Sequence, residues 1–157
     1  MNILALDVAT KCGFAAEIDR RRESGFKDFT PLPGEGPGWR YIRFNVWLYS
    51  WKGRKLDLVV VEKTIPNMKR AITSEIAFGL STRVMEFAER QHVPLIGIHN
   101  ATLKKYFTGD GRAEKFEMIL KAQAIDPNIE DDNEADALLL LQYTKLVILK
   151  GKKGGSK

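Results

Sequence analysis

The sequence predicts one α/β domain built on a five-stranded mixed sheet, with three antiparallel strands, then two parallel ones, and helices on both faces. Two short apolar runs, residues 3–8 and 56–62, are typical of strands buried on both faces. Segments with apolar residues at helical spacing separate and follow them. The predicted element order is β-β-β-α-β-α-β-α-α-α, and parallel strands joined by helices imply helices on both faces.

The first 38 residues predict an antiparallel meander after the first buried strand. Residues 10–13 predict a turn, and residues 14–18 predict the second strand. The basic cluster 20–22 is expected at the next hairpin, followed by a short edge strand at residues 26–30. Prolines and glycines crowd residues 31–38, which predict a loop.

The middle of the chain predicts two helices around the second buried strand. Residues 39–51 lack proline and glycine, and Trp47 and Trp51 are expected to pack this helix onto the sheet. Residues 68–91 predict a long helix, with a second face of Phe78, Gly79 and Met85 expected to form a dimer interface. Its core-facing apolar line is Ile72, Ile76, Leu80, Val84 and Phe87.

The last third predicts a fifth strand and three helices. The strand covers residues 94–98, and the helices cover residues 101–107, 113–125 and 132–149. Gly109 ends the first of these helices. The basic residues 150–157 are expected to form a disordered tail, which leaves residues 1–149 as the folded domain.

Composition favours a cytoplasmic protein with a polyanionic partner. A single cysteine, Cys12, cannot form an intrachain disulfide, and two histidines with one cysteine cannot close a zinc site. No signal-peptide pattern and no apolar run of about 20 residues is present, so no membrane association is expected. The net charge of +5 favours binding to phosphates.

Two carboxylates stand at the ends of the most apolar strands. Asp7 ends the first run, and Glu62 ends the second. An ionised carboxylate is costly to bury without compensation. If the strands are parallel neighbours, both carboxylates meet at the edge where α/β sheets bind ligands; alternatively, each is a solvated residue at a strand end.

A third carboxylate, Asp136, lies one turn inside the last predicted helix. Asp132 and Asn133 share its face at helical spacing, whereas Asp131 and Glu134 resemble a capping box. Carboxylate oxygens suit Mg²⁺ or Mn²⁺. Two such ions, about 3.5–4 Å apart, activate water and stabilise the leaving oxygen of a phosphodiester, with Asp7 as the natural bridging ligand.

Lysines flank a glycine turn late in the chain. Lys104 precedes Gly109-Asp110-Gly111, and Lys115 follows it, while Asp110 and Arg112 are expected to be variable. A basic turn that serves a remote acidic cluster suits cleavage of a phosphodiester, because the lysines hold the phosphate while the carboxylates hold metal.

These residues together resemble RuvC-type Holliday junction resolvases of the RNase H-like nuclease superfamily. The resemblance runs from Met1 to about Leu149. Its residues are Asp7 with Gly13, Glu62, the segment 135–138, and Lys104 before the pattern G-x-G-x-A-x-K that ends at Lys115.

The resemblance implies an RNase H-like nuclease domain and a homodimer that makes paired symmetric nicks in four-way DNA junctions with divalent metal. Asp7, Glu62 and Asp136 then become catalytic metal ligands, and Lys104 and Lys115 lie near the scissile phosphate. The bacterial cytoplasm is implied, in a cellular or a phage-encoded version.

Two positions depart from the family pattern. Asn133 replaces an Asp or His, so the fourth ligand is either Asn133 or its acidic neighbour Asp132, which we favour for its charge. Ile65 replaces a base-stacking aromatic residue. The alternatives to junction resolution are therefore a broader nuclease for forks and flaps and a non-catalytic junction-binding architectural protein.

Overall fold

The computed structural model describes residues 1–63 and 71–150. The five strands and five α-helices follow the predicted order. They are β1 (Ile3–Asp7), β2 (Lys11–Ile18), β3 (Arg21–Asp28), α1 (Trp39–Tyr49), β4 (Leu58–Glu62), α2 (Ala71–Gln91), β5 (Leu95–Ile98), α3 (Asn100–Thr108), α4 (Lys115–Gln123) and α5 (Asp132–Tyr143). A π-helical segment, Thr144–Leu149, continues α5.

The sheet has the order β3-β2-β1-β4-β5. Strands β1, β2 and β3 pair antiparallel, whereas β1, β4 and β5 are parallel to one another. The predicted mixed sheet is therefore confirmed. Because β1 is central and nearly fully buried, its C-terminal end lies between the two halves of the sheet.

Two hydrophobic cores cover the two faces of the sheet. One core joins the sheet to α3, α4 and α5, through residues such as Leu103, Met118 and Leu138. The other joins the opposite face to α1 and α2, through Phe44 and Phe87 among others. Helices on both faces are confirmed. The layer formed by α3, α4 and α5 carries Lys104, Lys115 and Asp136.

The predicted packing of the aromatic helix is confirmed. The Trp51 side chain is buried, and its ring packs edge-on against Trp47, with the centroids 6.3 Å apart. Both indole rings also pack against the Phe14 ring of β2, with ring centroids 5.7 and 5.8 Å apart. The tryptophans therefore hold α1 against the sheet.

The edge strand β3 was predicted too late in the sequence. It begins at Arg21, so only Arg20 of the basic cluster lies in the hairpin turn, together with Asp19. Both turn residues have positive φ angles, of 50° and 67°. Such a tight two-residue turn leaves Arg21 and Arg22 within the strand.

The predicted faces of α2 need two corrections. Ile72 was expected in the core but is 74% exposed, whereas Leu80 and Val84 are buried. Gly79 was expected on the dimer interface, but a side chain there would collide with Tyr41 of α1. The close approach at Gly79 therefore occurs within the chain.

Several predictions lie outside the described residues. They concern Ile65, the start of α2 at Met68 and the tail after Lys150.

None of the helices within residues 1–63 and 71–150 has the length and hydropathy of a membrane-spanning helix.

Candidate active site

The candidate site begins with a row of residues across the sheet. Asp7 is the last residue of β1 and pairs with Gly13 of β2. On the other side, Leu6 of β1 pairs with Val61 of β4 in parallel register, which places Glu62 next to Asp7. Neighbouring strands lie about 4.8 Å apart, so the two carboxylates share one edge of the sheet.

Helix α5 begins directly over this row. Asp131 caps the helix, and its carboxylate accepts hydrogen bonds from the backbone N–H groups of Asn133 and Glu134. Lys11 of β2 forms an ion pair with Asp131. The Glu134 carboxylate, expected to complete a capping box, accepts a hydrogen bond from Ser24 of β3 at 2.6 Å. The first turn of α5 is therefore tied to two strands.

Gly13 permits the close approach of α5. A Cβ atom at this position would lie less than 3 Å from the carbonyl oxygen and carbonyl carbon of Asn133. Only a residue without a side chain fits between the strand and the helix backbone. Because Gly13 is the direct neighbour of Asp7, this contact fixes the helix that carries Asp132 and Asp136 beside the sheet carboxylates.

The four carboxylates are close enough to perturb one another. Burial raises the pKa of Asp7 well above its usual value, and the charges of Glu62, Asp136 and Asp132 raise it further. Burial, followed by the charge of Glu62, raises the pKa of Asp136 to about 7. Burial also raises the pKa of Glu62. The site therefore has excess negative charge that a cation would relieve.

Asp132 interacts with this cluster as a charge, whereas Asn133 does not. The Asp132 charge raises the pKa of both Asp7 and Asp136. The Asn133 side-chain amide instead donates hydrogen bonds to the carboxylates of Asp131, at 3.2 Å, and Asp132, at 3.4 Å. Of the two candidates for a fourth ligand, Asp132 is the one whose charge acts on the other carboxylates.

The cluster is not a closed coordination site. Within residues 1–63 and 71–150, no group of three or more acidic, histidine or cysteine side chains is placed to hold a metal ion as it stands. One oxygen of Asp132 forms an ion pair with Lys115. The donor chemistry of the cluster fits a hard divalent cation.

Lys104 and Lys115 both act on the acidic cluster. The positive charge of Lys104, on α3, lowers the pKa values of Glu62 and Asp136 against the larger effect of burial. The hydrogen bond to Asp132 raises the pKa of Lys115. The Lys115 side chain is 79% exposed, so its ammonium group is accessible to a ligand.

The glycine turn connects the two lysine-bearing helices. Gly109 ends α3 with a φ angle of 85°, and its N–H group donates to the Lys105 carbonyl oxygen. The Asp110 carboxylate accepts a hydrogen bond from the Arg112 N–H group at 2.9 Å. The Ala113 N–H group donates to the Asp110 carbonyl oxygen. These hydrogen bonds close the turn between the two helices that carry the lysines.

Comparison with known proteins identifies the fold. No family model and no curated protein matches the chain. Among solved structures, Thermus thermophilus RuvC in complex with a Holliday junction substrate superposes with a TM-score of 0.76 at 19% identity, covering 96% of each chain. The chain has the RuvC fold.

Two further structures agree with this assignment. Another Thermus thermophilus RuvC structure gives a TM-score of 0.72 at 19% identity and covers 96% of this chain and 97% of RuvC. The yeast mitochondrial Holliday junction resolvase Ydc2 gives a TM-score of 0.56 at 11% identity, with coverages of 96% and 83%. The predicted RNase H-like fold is confirmed, and the acidic row lies at the C-terminal end of β1 and β4 in this RuvC fold.

One residue of the site, Asn100, was not predicted from the sequence. Its side-chain amide donates a hydrogen bond to the Glu62 carboxylate at 2.8 Å. A signal was available: Asn100 lies two residues after β5, whose Ile98 pairs with Glu62. A polar residue that follows the next parallel strand is well placed to orient the carboxylate.

We expect Asn100→Ala to lower metal-dependent activity about 10- to 100-fold, which is typical when a hydrogen-bond partner of a metal ligand is lost. Asn100→Asp should cost more, because it places a second negative charge against Glu62. Asn128→Ala, on the exposed turn before α5, is the matched control. Initial rates of the metal-dependent reaction at several Mg²⁺ concentrations measure the effect. Equal rates for Asn100→Ala and wild type would contradict the role of Asn100 in orienting Glu62.

The pKa of Asp136 predicts a pH-dependent stability. Because the pKa is raised to about 7 in the folded state, from 3.8 in the unfolded chain, the folded protein binds more protons between these values. The free energy of unfolding of the metal-free protein should therefore fall as pH rises through this window. We expect Asp136→Asn to raise the melting temperature in EDTA by a few degrees at pH 8, with a smaller effect at pH 5. Equal destabilisation at both pH values would contradict the assignment.

Proposed function

We propose that this protein is a RuvC-type resolvase, a metal-dependent endonuclease that cuts four-way DNA junctions by paired symmetric nicks. The observation that carries the proposal is the cluster of Asp7, Glu62 and Asp136 on the RuvC fold, with Lys104 and Lys115 beside it. A structural neighbour, Thermus thermophilus RuvC, was solved with a Holliday junction substrate. The net charge of +5 suits the same kind of partner.

Asp7, Glu62, Asp132 and Asp136 would hold Mg²⁺ or Mn²⁺, two ions in each active site, with Asn133 as the alternative to Asp132. Bound ions of this kind activate water and stabilise the leaving oxygen of a phosphodiester. Asp7 lies centrally, between Glu62 on β4 and the α5 carboxylates, so it would be the ligand shared by the whole cluster.

The chain's own residues would orient the substrate. Asn100 holds Glu62 in position. Lys115 pairs with Asp132, and its exposed side chain would bring the ammonium group to the scissile phosphate. Lys104 lies beside Glu62 and Asp136, where it would hold a second phosphate oxygen.

Paired nicks require two active sites, so we propose a homodimer. The exposed side chains of Phe78 and Met85 on α2 are the apolar surface offered for it. Sedimentation that showed only monomers at micromolar protein would contradict this part of the proposal. We propose that the protein works in the bacterial cytoplasm, in a cellular or phage-encoded form.

A broader branched-DNA nuclease is the second candidate. Ile65 in place of an aromatic residue favours it, because base stacking at the crossover would be weaker there. Comparing cleavage of a four-way junction, a fork, a flap and a linear duplex at fixed salt distinguishes the two. Junction resolution predicts that the four-way junction is cut fastest. The second candidate predicts similar cutting rates on the junction, the fork and the flap. Preferred cutting of the linear duplex contradicts both.

A further inference from the structure

We propose that a tyrosine-walled cavity beside α3 holds an unpaired nucleotide of the bound DNA, with its base against Tyr106 and its phosphate near Lys105. The inference rests on the proposed function, because it takes the active site to act on DNA. The cavity has a volume of about 420 Å³, and its lining residues are Ala101, Thr102, Lys105, Tyr106 and Tyr143. This volume lies within the range of small-molecule sites.

The Tyr106 ring is held in a fixed orientation. It packs edge-on against Phe107 at 4.9 Å and against Tyr143 at 5.1 Å, with interplanar angles of 86° in both pairs. The residue is nevertheless 48% exposed. Two aromatic neighbours therefore orient the ring, and Tyr106 lines the cavity with nearly half of its surface still exposed. Exposed aromatic side chains of this kind are the surfaces on which nucleobases stack.

The cavity is formed by α3 and α5, the helices that also carry Lys104 and Asp136. Lys104, whose charge acts on Glu62 and Asp136, immediately precedes Lys105 and Tyr106 on α3. Tyr143 follows Asp136 by seven residues on α5, which is about 10 Å along the helix axis at 1.5 Å per residue.

The chemistry of the cavity favours a single nucleotide. The tyrosine rings form an apolar surface for a base, and the exposed ammonium group of Lys105 lies at the same cavity for its phosphate. Thr102 adds a hydroxyl group on the same wall. Bases within a duplex are covered by their neighbours, so the nucleotide that enters must be unpaired, as at the exchange point of a junction.

A fluorescent base analogue tests the proposal directly. A four-way junction carrying 2-aminopurine at the exchange point is bound to the protein with Asp7→Asn, so that no cutting occurs. Stacking on Tyr106 should quench the fluorescence. Tyr106→Ala should abolish the quenching and weaken binding about tenfold, whereas Tyr106→Phe should preserve both.

Two further variants complete the test. Thr102→Glu places a negative charge in the cavity without removing a core side chain, and it should also weaken binding. Phe116→Leu removes another exposed aromatic residue, on α4, and should leave quenching and affinity unchanged. Thermal melting followed by circular dichroism checks that each variant is folded.

Binding to an oligothymidylate separates this proposal from the proposed function. If the wild type cuts no junction but Tyr106→Ala still weakens oligothymidylate binding and Tyr106→Phe does not, the cavity stands and junction resolution fails. If the wild type cuts junctions while Tyr106→Ala and Thr102→Glu leave quenching and affinity unchanged, the cavity is overturned. No binding of either DNA by the wild type overturns it as well.

Discussion

Asp7→Asn is expected to abolish cleavage of a four-way junction in Mg²⁺ and to leave junction binding intact. Asp7 lies between Glu62 and the α5 carboxylates, and its pKa is raised by burial and by their charges. Loss of this carboxylate removes the proposed bridging ligand. Because bound metal supplies several kcal/mol of transition-state stabilisation, the rate should fall roughly a thousandfold or more.

Binding should survive this substitution because the residues that would contact phosphate are cations. Removing a negative charge near Lys115 leaves its ammonium group in place. Junction binding in EDTA measures affinity, and a single-turnover assay measures the rate. Asp19→Asn, in the exposed hairpin turn at the other end of β2, is the control and should retain full activity. Equal cutting by Asp7→Asn and wild type would refute the site.

Gly13→Ala is expected to destabilise the fold and the site together. The added methyl group would overlap the Asn133 carbonyl group, so the first turn of α5 must move away from β2. Overpacking of this kind costs about 3 kcal/mol, which for a protein of this size lowers the melting temperature by about 6–12 °C.

The loss of activity in Gly13→Ala should exceed the loss of folded protein. A shift of about 1 Å in Asp132 and Asp136 relative to Asp7 is enough to cost roughly a hundredfold in rate. The rate is therefore measured well below the melting temperature of the variant. Gly36→Ala is the matched control, since a side chain there meets no atom within 4 Å. Wild-type activity in a stable Gly13→Ala protein would show that the contact does not position α5.

The part of the site that lies on the sheet could be predicted from the sequence, because the pattern that marks it involves only neighbouring residues. An apolar run that ends in a carboxylate marks a buried strand with a charge at its terminus, and this pattern identified Asp7 and Glu62. Parallel register then places them side by side. The edge strand β3 was predicted too late because its residues are mostly polar, without the alternation that marks a half-buried strand.

The part of the site that lies on the helices depends on contacts between distant parts of the chain. The packing of Asn133 against Gly13 joins residues separated by 120 positions, and helical spacing carries no information about it. Similarly, the Asn100–Glu62 hydrogen bond follows from strand order, which periodicity alone does not reveal. Helical periodicity identified the apolar line of α2. It could not show that Ile72, two turns before the buried Leu80, stays exposed to solvent.

The most direct test of the proposed function is to map the nicks that the wild type makes in a synthetic four-way junction. Each of the four strands is end-labelled in turn, and cleavage is compared in Mg²⁺ and in EDTA. Junction resolution predicts nicks at symmetric positions on two opposite strands, present only with Mg²⁺. Cuts at unrelated positions on the four strands, or no metal-dependent cutting, would contradict it.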